Sequence, residues 1–210
     1  TAPWLIDELF SLAGRNAADY LTLVPLDPFY RVFFHDGESF EYTGDQQRML
    51  AEIRRTSLFP ADPAGYLELS ELTERIFAKG FTELADQPFL NPLDMARILP
   101  AMLQLQSYRS VYGLVARYIQ DEKVRQVLSF HPLLVGGNPF DTTSIYALIQ
   151  HLESEWGVWF AMGGTGALID ALVRLFAALG GTLMLDAPVS QITMNGKRAS
   201  GVELEDGRRI

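Results

Sequence analysis

Alternating apolar and polar residues predict β-structure towards both ends of the chain. Residues 29–42 alternate around Asp36-Gly37, a pattern typical of a β-hairpin with an aromatic face. Residues 189–194 and 201–205 flank the turn residues Asn195-Gly196 in the same way. Further short strands are predicted at 21–26, 156–160 and 182–185.

The middle of the chain has the three-to-four-residue spacing of amphipathic helices. Tyr66, Leu69, Leu72 and Ile76 form one apolar stripe, and Asp62 before Pro63 predicts the N-cap of that helix. Residues 93–119 predict a long helix that is broken or kinked at Pro100. One helix is predicted to place Leu5, Leu9 and Leu12 on one face, and two others begin near Asp45 and Asp121. A further helix has Thr142, Thr143 or Ser144 as its N-cap, and the last runs from 168 to 179.

Composition and charge exclude several classes of function. A net charge of -9 argues against nucleic acid as a partner, because binding phosphates requires a basic surface. The absence of cysteine excludes disulfides, thiolate catalysis and cysteine-ligated metals. His35, His131 and His151 lack the spacing of metal ligands, so we expect them to be structural and predict no metal site. No apolar run in the sequence has transmembrane length.

One stretch departs from the acidic character of the chain. Residues 95–120 contain no Asp or Glu, but they carry Arg97, Arg109 and Arg117 among many apolar and aromatic residues. This composition suits a membrane interface, and it equally suits a buried helix whose arginines reach the surface.

The glycine turn at 163–166 supplies only half of a nucleotide-binding pattern. A dinucleotide fingerprint needs a third glycine where Ile169 stands, and a Walker loop needs a lysine that is absent here. We therefore interpret the turn as a tight connection into the following helix.

Residues 129–168, reading SFHPLLVGGNPFDTTSIYALIQHLESEWGVWFAMGGTGAL, resemble the central block of bacterial and fungal phytoene desaturases. The segments PLDPFYRVF (25–33) and PFLNPLDM (88–95) resemble the same family in the same order. The resemblance extends over the whole chain. Because Asp206-Gly207 starts a hairpin turn just before the last residue, we interpret the chain as an internal segment of a longer protein.

The resemblance implies a mixed α/β flavoprotein fold of the amine-oxidase type with a helical, membrane-facing insert. It implies FAD as cofactor and desaturation of phytoene towards neurosporene or lycopene in carotenoid biosynthesis. Residues 1–20 would end a first FAD-domain segment, 21–155 would form the substrate-binding domain, and 156–210 would return to the FAD-binding domain. The glycine fingerprint for FAD is expected outside these residues, so we expect the 210 residues alone to be inactive.

Three residues are candidates for the site under this resemblance. Val189 would contact adenine through its backbone, the alternative being ordinary sheet pairing. Asp94 and Arg97 lie three positions apart, hence on one helix face, and would form the polar part of the active site. The alternative is a helix N-terminal Asp with a surface Arg as its partner.

The implied partners are phytoene and partly desaturated carotenes, a membrane surface on the cytoplasmic side, and a quinone or oxygen as electron acceptor. Two alternatives stay open: a related carotenoid desaturase, ketolase or isomerase, and a non-catalytic, membrane-associated carotenoid-binding module.

Overall fold

The computed structural model describes residues 2–84, 88 and 90–210. It divides the chain into two compact units. The larger unit contains the residues up to Glu8 together with Leu23–Phe160, and the smaller unit contains Leu9–Thr22 and Ala161–Ile210. The assignment of 21–155 to substrate and of the flanking segments to FAD stays a prediction.

The described elements alternate between short strands and helices, which agrees with the predicted mixed class. From the amino end they are α1 (Pro3–Leu12), β1 (Leu23–Pro25), β2 (Tyr30–Phe33), β3 (Ser39–Tyr42), α2 (Gln46–Thr56), α3 (Asp62–Phe77), a π-helical turn (Ala78–Glu83), α4 (Pro92–Gln104) and α5 (Val111–Val115). They continue with α6 (Glu122–Ser129), 3₁₀ turns at His131–Val135 and Ser144–Ala147, α7 (Leu148–Trp156), β4 (Trp159–Ala161), α8 (Thr165–Ala178), β5 (Val189–Asn195) and β6 (Arg198–Leu204).

The predicted aromatic hairpin is confirmed. β2 and β3 pair antiparallel with Tyr30 opposite Tyr42 and Val32 opposite Phe40. Gly37 has a φ of +87°, which the turn needs and which glycine adopts without steric cost. Phe40 and Tyr42 are buried and join the core of the larger unit. That core is completed by α2, α3, α5 and α6, mainly through Ile53, Leu69, Leu72, Ile76, Leu114, Val115, Val124 and Val127.

Asp62 does not cap its own helix, contrary to the sequence prediction. The N-cap position of α3 is Ala61, which makes no side-chain cap bond. The buried carboxylate of Asp62 instead accepts hydrogen bonds from the backbone N–H groups of Gln120 (2.7 Å) and Asp121 (3.0 Å), and from the Ser57 hydroxyl (2.6 Å). Three donors compensate for burying the carboxylate and join α3 to the start of α6. Asp121 caps α6 as predicted.

The helix predicted to be broken or kinked at Pro100 is not broken there. Pro100 lies inside α4, and the helical stretch is interrupted later, at Gln106, whose φ is +58°. Residues 105–110 then form a turn before α5. Pro100 is exposed, where water can satisfy the carbonyl that its missing N–H leaves without a partner.

The smaller unit confirms the second hairpin and corrects one strand. β5 and β6 pair antiparallel with a bulge after Val189, and α8 follows the glycine turn as predicted. Residues 182–185 are not a strand.

The predicted helix near the amino end is present as α1. Leu5, Leu9 and Leu12 are exposed, whereas Phe10 is fully buried. Within the described residues, none of the helices combines the length and the apolar character that crossing a bilayer requires.

Candidate active site

Asp94 lies in the first turn of α4, where the sequence builds a capping box. The Asn91 side-chain oxygen accepts from the backbone N–H groups of Leu93 (2.9 Å) and Asp94 (3.2 Å). In return, Asp94 Oδ2 accepts from the backbone N–H groups of Leu90 and Asn91, each at 3.2 Å. One carboxylate oxygen is thus committed to holding the helix start.

The other oxygen of Asp94 faces Arg97. Arg97 Nη1 lies 4.0 Å from Asp94 Oδ1, and the Arg97 side chain is 83% exposed, whereas Asp94 is 25% exposed. The structure therefore brings the two predicted residues together on one helix face, as a long, solvent-exposed pair. Such a pair contributes little to stability, and it leaves the carboxylate accessible.

The acid-free stretch divides into two parts with different surroundings. Val111, Leu114, Val115 and Ile119 are fully buried, so α5 and the turn after it belong to the core. Leu99 and Leu103 on α4 are 52% and 56% exposed, and Tyr108 is 64% exposed. The buried-helix alternative therefore applies to α5 and the turn after it. In contrast, α4 presents an apolar surface next to Arg97.

An apolar cavity of about 190 Å³ lies between the π turn, α4 and the start of α7. Its wall is formed chiefly by Ile76, Ile98, Ala101, Met102, Leu105 and Leu148. Lys79 contributes to the wall while its ammonium group pairs with Glu83. Ser107 also lines it, and its buried hydroxyl has no hydrogen-bond partner among the described residues. The sequence offers no signal for this cavity, because its wall comes from three separated segments.

A buried polar cluster joins the hairpin to α7. The Tyr30 hydroxyl donates to Glu153 Oε1 at 2.7 Å, and His131 Nε2 lies 3.2 Å from Glu153 Oε2. His131 and Glu153 are 0% and 1% exposed. Burial, together with the hydrogen bond to Glu153, raises the pKa of Tyr30 well above its usual range. The sequence gives no local signal for this cluster, since Tyr30 and Glu153 are 123 positions apart.

Val189 lies at the start of β5 in the smaller unit, opposite Leu204 of β6. Within the described residues the sheet has two strands, so the far edge of β5 carries unpaired backbone groups. A donor and an acceptor side by side suit the edge of adenine. The contact of Val189 with adenine stays a prediction, and the 210 residues contain no G-x-G-x-x-G turn for the phosphates of a flavin dinucleotide.

The glycine turn before α8 is a tight connection, as predicted. Gly163 and Gly164 have φ values of +90° and +84°, and a Cβ on Gly163 would lie 3.2 Å from the Ala167 Cβ. These geometries require glycine without a ligand being present.

The mixed fold agrees with the family that the sequence matches. Residues 3–210 match the sequence profile described as "Flavin containing amine oxidoreductase". The chain belongs to this flavin-containing amine oxidoreductase family, which confirms the predicted fold class.

Individual relatives narrow the similarity to carotenoid desaturases. The chain is 48% identical over 210 residues to a lycopene-forming phytoene desaturase of Pantoea ananas, covering 100% of this chain and 42% of that protein. It is 46% identical to the lycopene-forming enzyme of Pseudescherichia vulneris, covering 99% of this chain and 42% of the relative. It is 35% identical to a neurosporene-forming phytoene desaturase of Rhodobacter capsulatus, covering 100% of this chain and 40% of the relative. The predicted resemblance is confirmed, and the chain spans about two fifths of the length of these relatives.

Proposed function

We propose that this chain is part of an FAD-dependent phytoene desaturase. The observation that carries the proposal is the 48% identity to a lycopene-forming phytoene desaturase along the entire chain. Two structural features support it. The first is the apolar cavity, to whose wall α4 contributes only uncharged side chains. The second is the exposed edge of β5 at Val189, which suits adenine. The bound flavin would supply the hydride acceptor for the removal of two hydrogens from adjacent carbons.

A hydrocarbon substrate places its own demands on this chain. Exposing one CH₂ group to water costs about 0.8 kcal/mol, so a forty-carbon chain would need about 30 kcal/mol to leave the bilayer for water. We propose that the enzyme takes its substrate directly from a membrane surface. The exposed leucines of α4, with Arg97 beside them, are the apolar and basic groups that suit such an interface.

Asp94 and Arg97 are the residues that we propose for the polar part of the reaction. Loss of a hydride leaves positive charge on the substrate, and an ionised carboxylate stabilises that charge or accepts the neighbouring proton. Asp94 Oδ1 would perform this role while Oδ2 holds the start of α4. Arg97, on the same helix face, would orient the free oxygen of that carboxylate.

The test uses the complete enzyme loaded with FAD and supplied with phytoene in liposomes. We expect the parent to form coloured carotenes and Asp94→Asn to lower kcat by about 10²- to 10⁴-fold, the usual range for acid–base assistance. Asparagine keeps the shape and an acceptor oxygen for the cap, so FAD content and melting temperature should stay near those of the parent.

A matched control separates chemistry from helix capping. Asn91→Ala removes the other half of the capping box and leaves the carboxylate in place, at a cost of about 1 kcal/mol in stability. Equal losses of activity in Asn91→Ala and Asp94→Asn would assign Asp94 to capping alone. A parent enzyme that binds FAD and leaves phytoene unchanged would refute the proposed function.

A further inference from the structure

We propose that the cavity between the π turn, α4 and α7 receives one end of the carotene chain and so sets the accepted chain length. This inference rests on the proposed function and adds a specificity site to it. The cavity belongs wholly to the larger unit, and its wall is formed chiefly by apolar side chains.

The volume matches a small branched hydrocarbon group. An engineered apolar cavity of about 150 Å³ in another protein stays dry and binds benzene, so a cavity of about 190 Å³ has room for a five- or six-carbon group. Water is a poor occupant of this cavity, because water needs two to four polar partners and the wall is largely apolar. A branched five-carbon isoprenoid unit fits both the size and the apolar lining.

The backbone around the cavity is adapted to leave this space. The last turn of the α3 segment widens into a π turn at Ala78–Glu83, a geometry frequent at functional sites. Gly80 lies on the wall, where a Cβ would already contact Leu148 Cδ2 at 3.4 Å. Ala101 is the small residue that α4 places on the same wall.

Ala101→Leu fills the cavity, and Ala96→Leu is its matched control. Ala96 is an exposed residue of the same helix, so the control adds the same atoms outside the cavity. In the complete, FAD-loaded enzyme, kcat/KM is measured for forty-carbon phytoene and for thirty-carbon diapophytoene, whose ends are each one five-carbon unit shorter. We expect Ala101→Leu to lower the phytoene-to-diapophytoene ratio at least about tenfold, because single methylene differences in pockets change selectivity by about 10- to 200-fold. Ala96→Leu should leave the ratio within about twofold.

Xenon gives a readout that does not depend on activity. Crystals of the complete enzyme under xenon pressure should hold xenon beside Ile98 and Leu148, and Ala101→Leu should abolish that site. If Ala101→Leu does not fold, Ala101→Val fills less space and carries the same prediction at smaller magnitude.

The Ser107 hydroxyl is tested by Ser107→Ala. We expect a KM for phytoene within about twofold of the parent's, because the inaccessible hydroxyl does not face the cavity, and a melting temperature equal to or above that of the parent, since a buried unpaired hydroxyl is removed. An active parent whose substrate ratio is unchanged by filling the cavity would overturn the inference and leave the proposed function intact. If the parent enzyme binds xenon in the cavity but acts on neither substrate, the proposed function is refuted. The assignment of a carotene end to this cavity is then refuted with it.

Discussion

Gly65 allows the first turn of α3 to lie directly against the backbone of Tyr118. A Cβ built on Gly65 would come within 1.9 Å of the Tyr118 carbonyl oxygen, far inside contact distance. The same approach brings Asp62 within hydrogen-bond reach of the N–H groups of Gln120 and Asp121. Close packing and the buried carboxylate therefore depend on one glycine.

Gly65→Ala should destabilise the protein by about 3 kcal/mol, at the upper end of the usual cost of overpacking, because the atom that would have to move is a backbone oxygen. Chemical denaturation of the complete enzyme measures the change. Gly166→Ala is the control: Gly166 lies in α8, and a Cβ there would meet nothing within 4 Å. That substitution should stabilise the helix by up to about 1 kcal/mol. Similar effects at both sites would contradict the packing argument.

At the scale of elements, α4 has two faces with different roles. One face carries Ile98, Ala101 and Met102 towards the cavity, and the other exposes Leu99 and Leu103. A helix that is apolar on both sides needs an apolar environment for the outer side. The proposed membrane surface supplies that environment.

Leu99→Ser combined with Leu103→Ser should weaken binding of the complete enzyme to anionic liposomes by about tenfold or more. Burying a leucine side chain gains about 1.5 to 3 kcal/mol, and part of this gain is lost at each site. Co-sedimentation measures the binding. Leu58→Ser is the control, because Leu58 is 88% exposed in the loop between α2 and α3. Unchanged binding of the double variant would argue against α4 as the docking helix.

The sequence could predict those elements whose signals are local. The β2–β3 hairpin follows from alternation around Asp36-Gly37, and the start of α6 follows from Asp121 as N-cap. The sequence could not predict the role of Asp62, because its partners are 58 and 59 positions away. It placed the helix break at Pro100, whereas the local backbone turns at Gln106.

The candidate site was predictable to a lesser degree. A spacing of three was enough to place Asp94 and Arg97 together. The cavity wall and the Tyr30–Glu153–His131 cluster were not predictable, since both arise only when distant segments pack.

At the scale of the larger unit, three tyrosines are held in surroundings that oppose their ionisation. Burial raises the pKa of Tyr42 and of Tyr66 above the usual value of 10.0, and burial with the Glu153 hydrogen bond does the same for Tyr30. A raised folded-state pKa means that this stabilisation is complete below the unfolded-state pKa and is lost at higher pH. The protein should therefore lose stability above about pH 10.

An alkaline titration followed by tyrosinate absorbance and circular dichroism checks this. We expect exposed tyrosines to ionise first, and Tyr30, Tyr42 and Tyr66 to ionise only as the fold is lost. Tyr42→Phe should move the unfolding midpoint to higher pH. Phenylalanine cannot ionise, so the unfolded chain no longer gains free energy at this position when the pH rises. Ionisation of Tyr30, Tyr42 and Tyr66 along the same curve as the exposed tyrosines, in a protein that is still folded, would contradict the prediction.

The open edge of β5 also bears on how these 210 residues behave when they are produced by themselves. Beside that edge the hairpin exposes Val189, Ile192 and Met194, which are 51%, 63% and 56% accessible. A two-stranded ribbon with a free edge and an apolar face is a template on which further chains add as strands. Expression of the isolated segment is therefore expected to yield aggregates unless this edge is covered, for example by coexpressed flanking sequence or by charged residues introduced along β5.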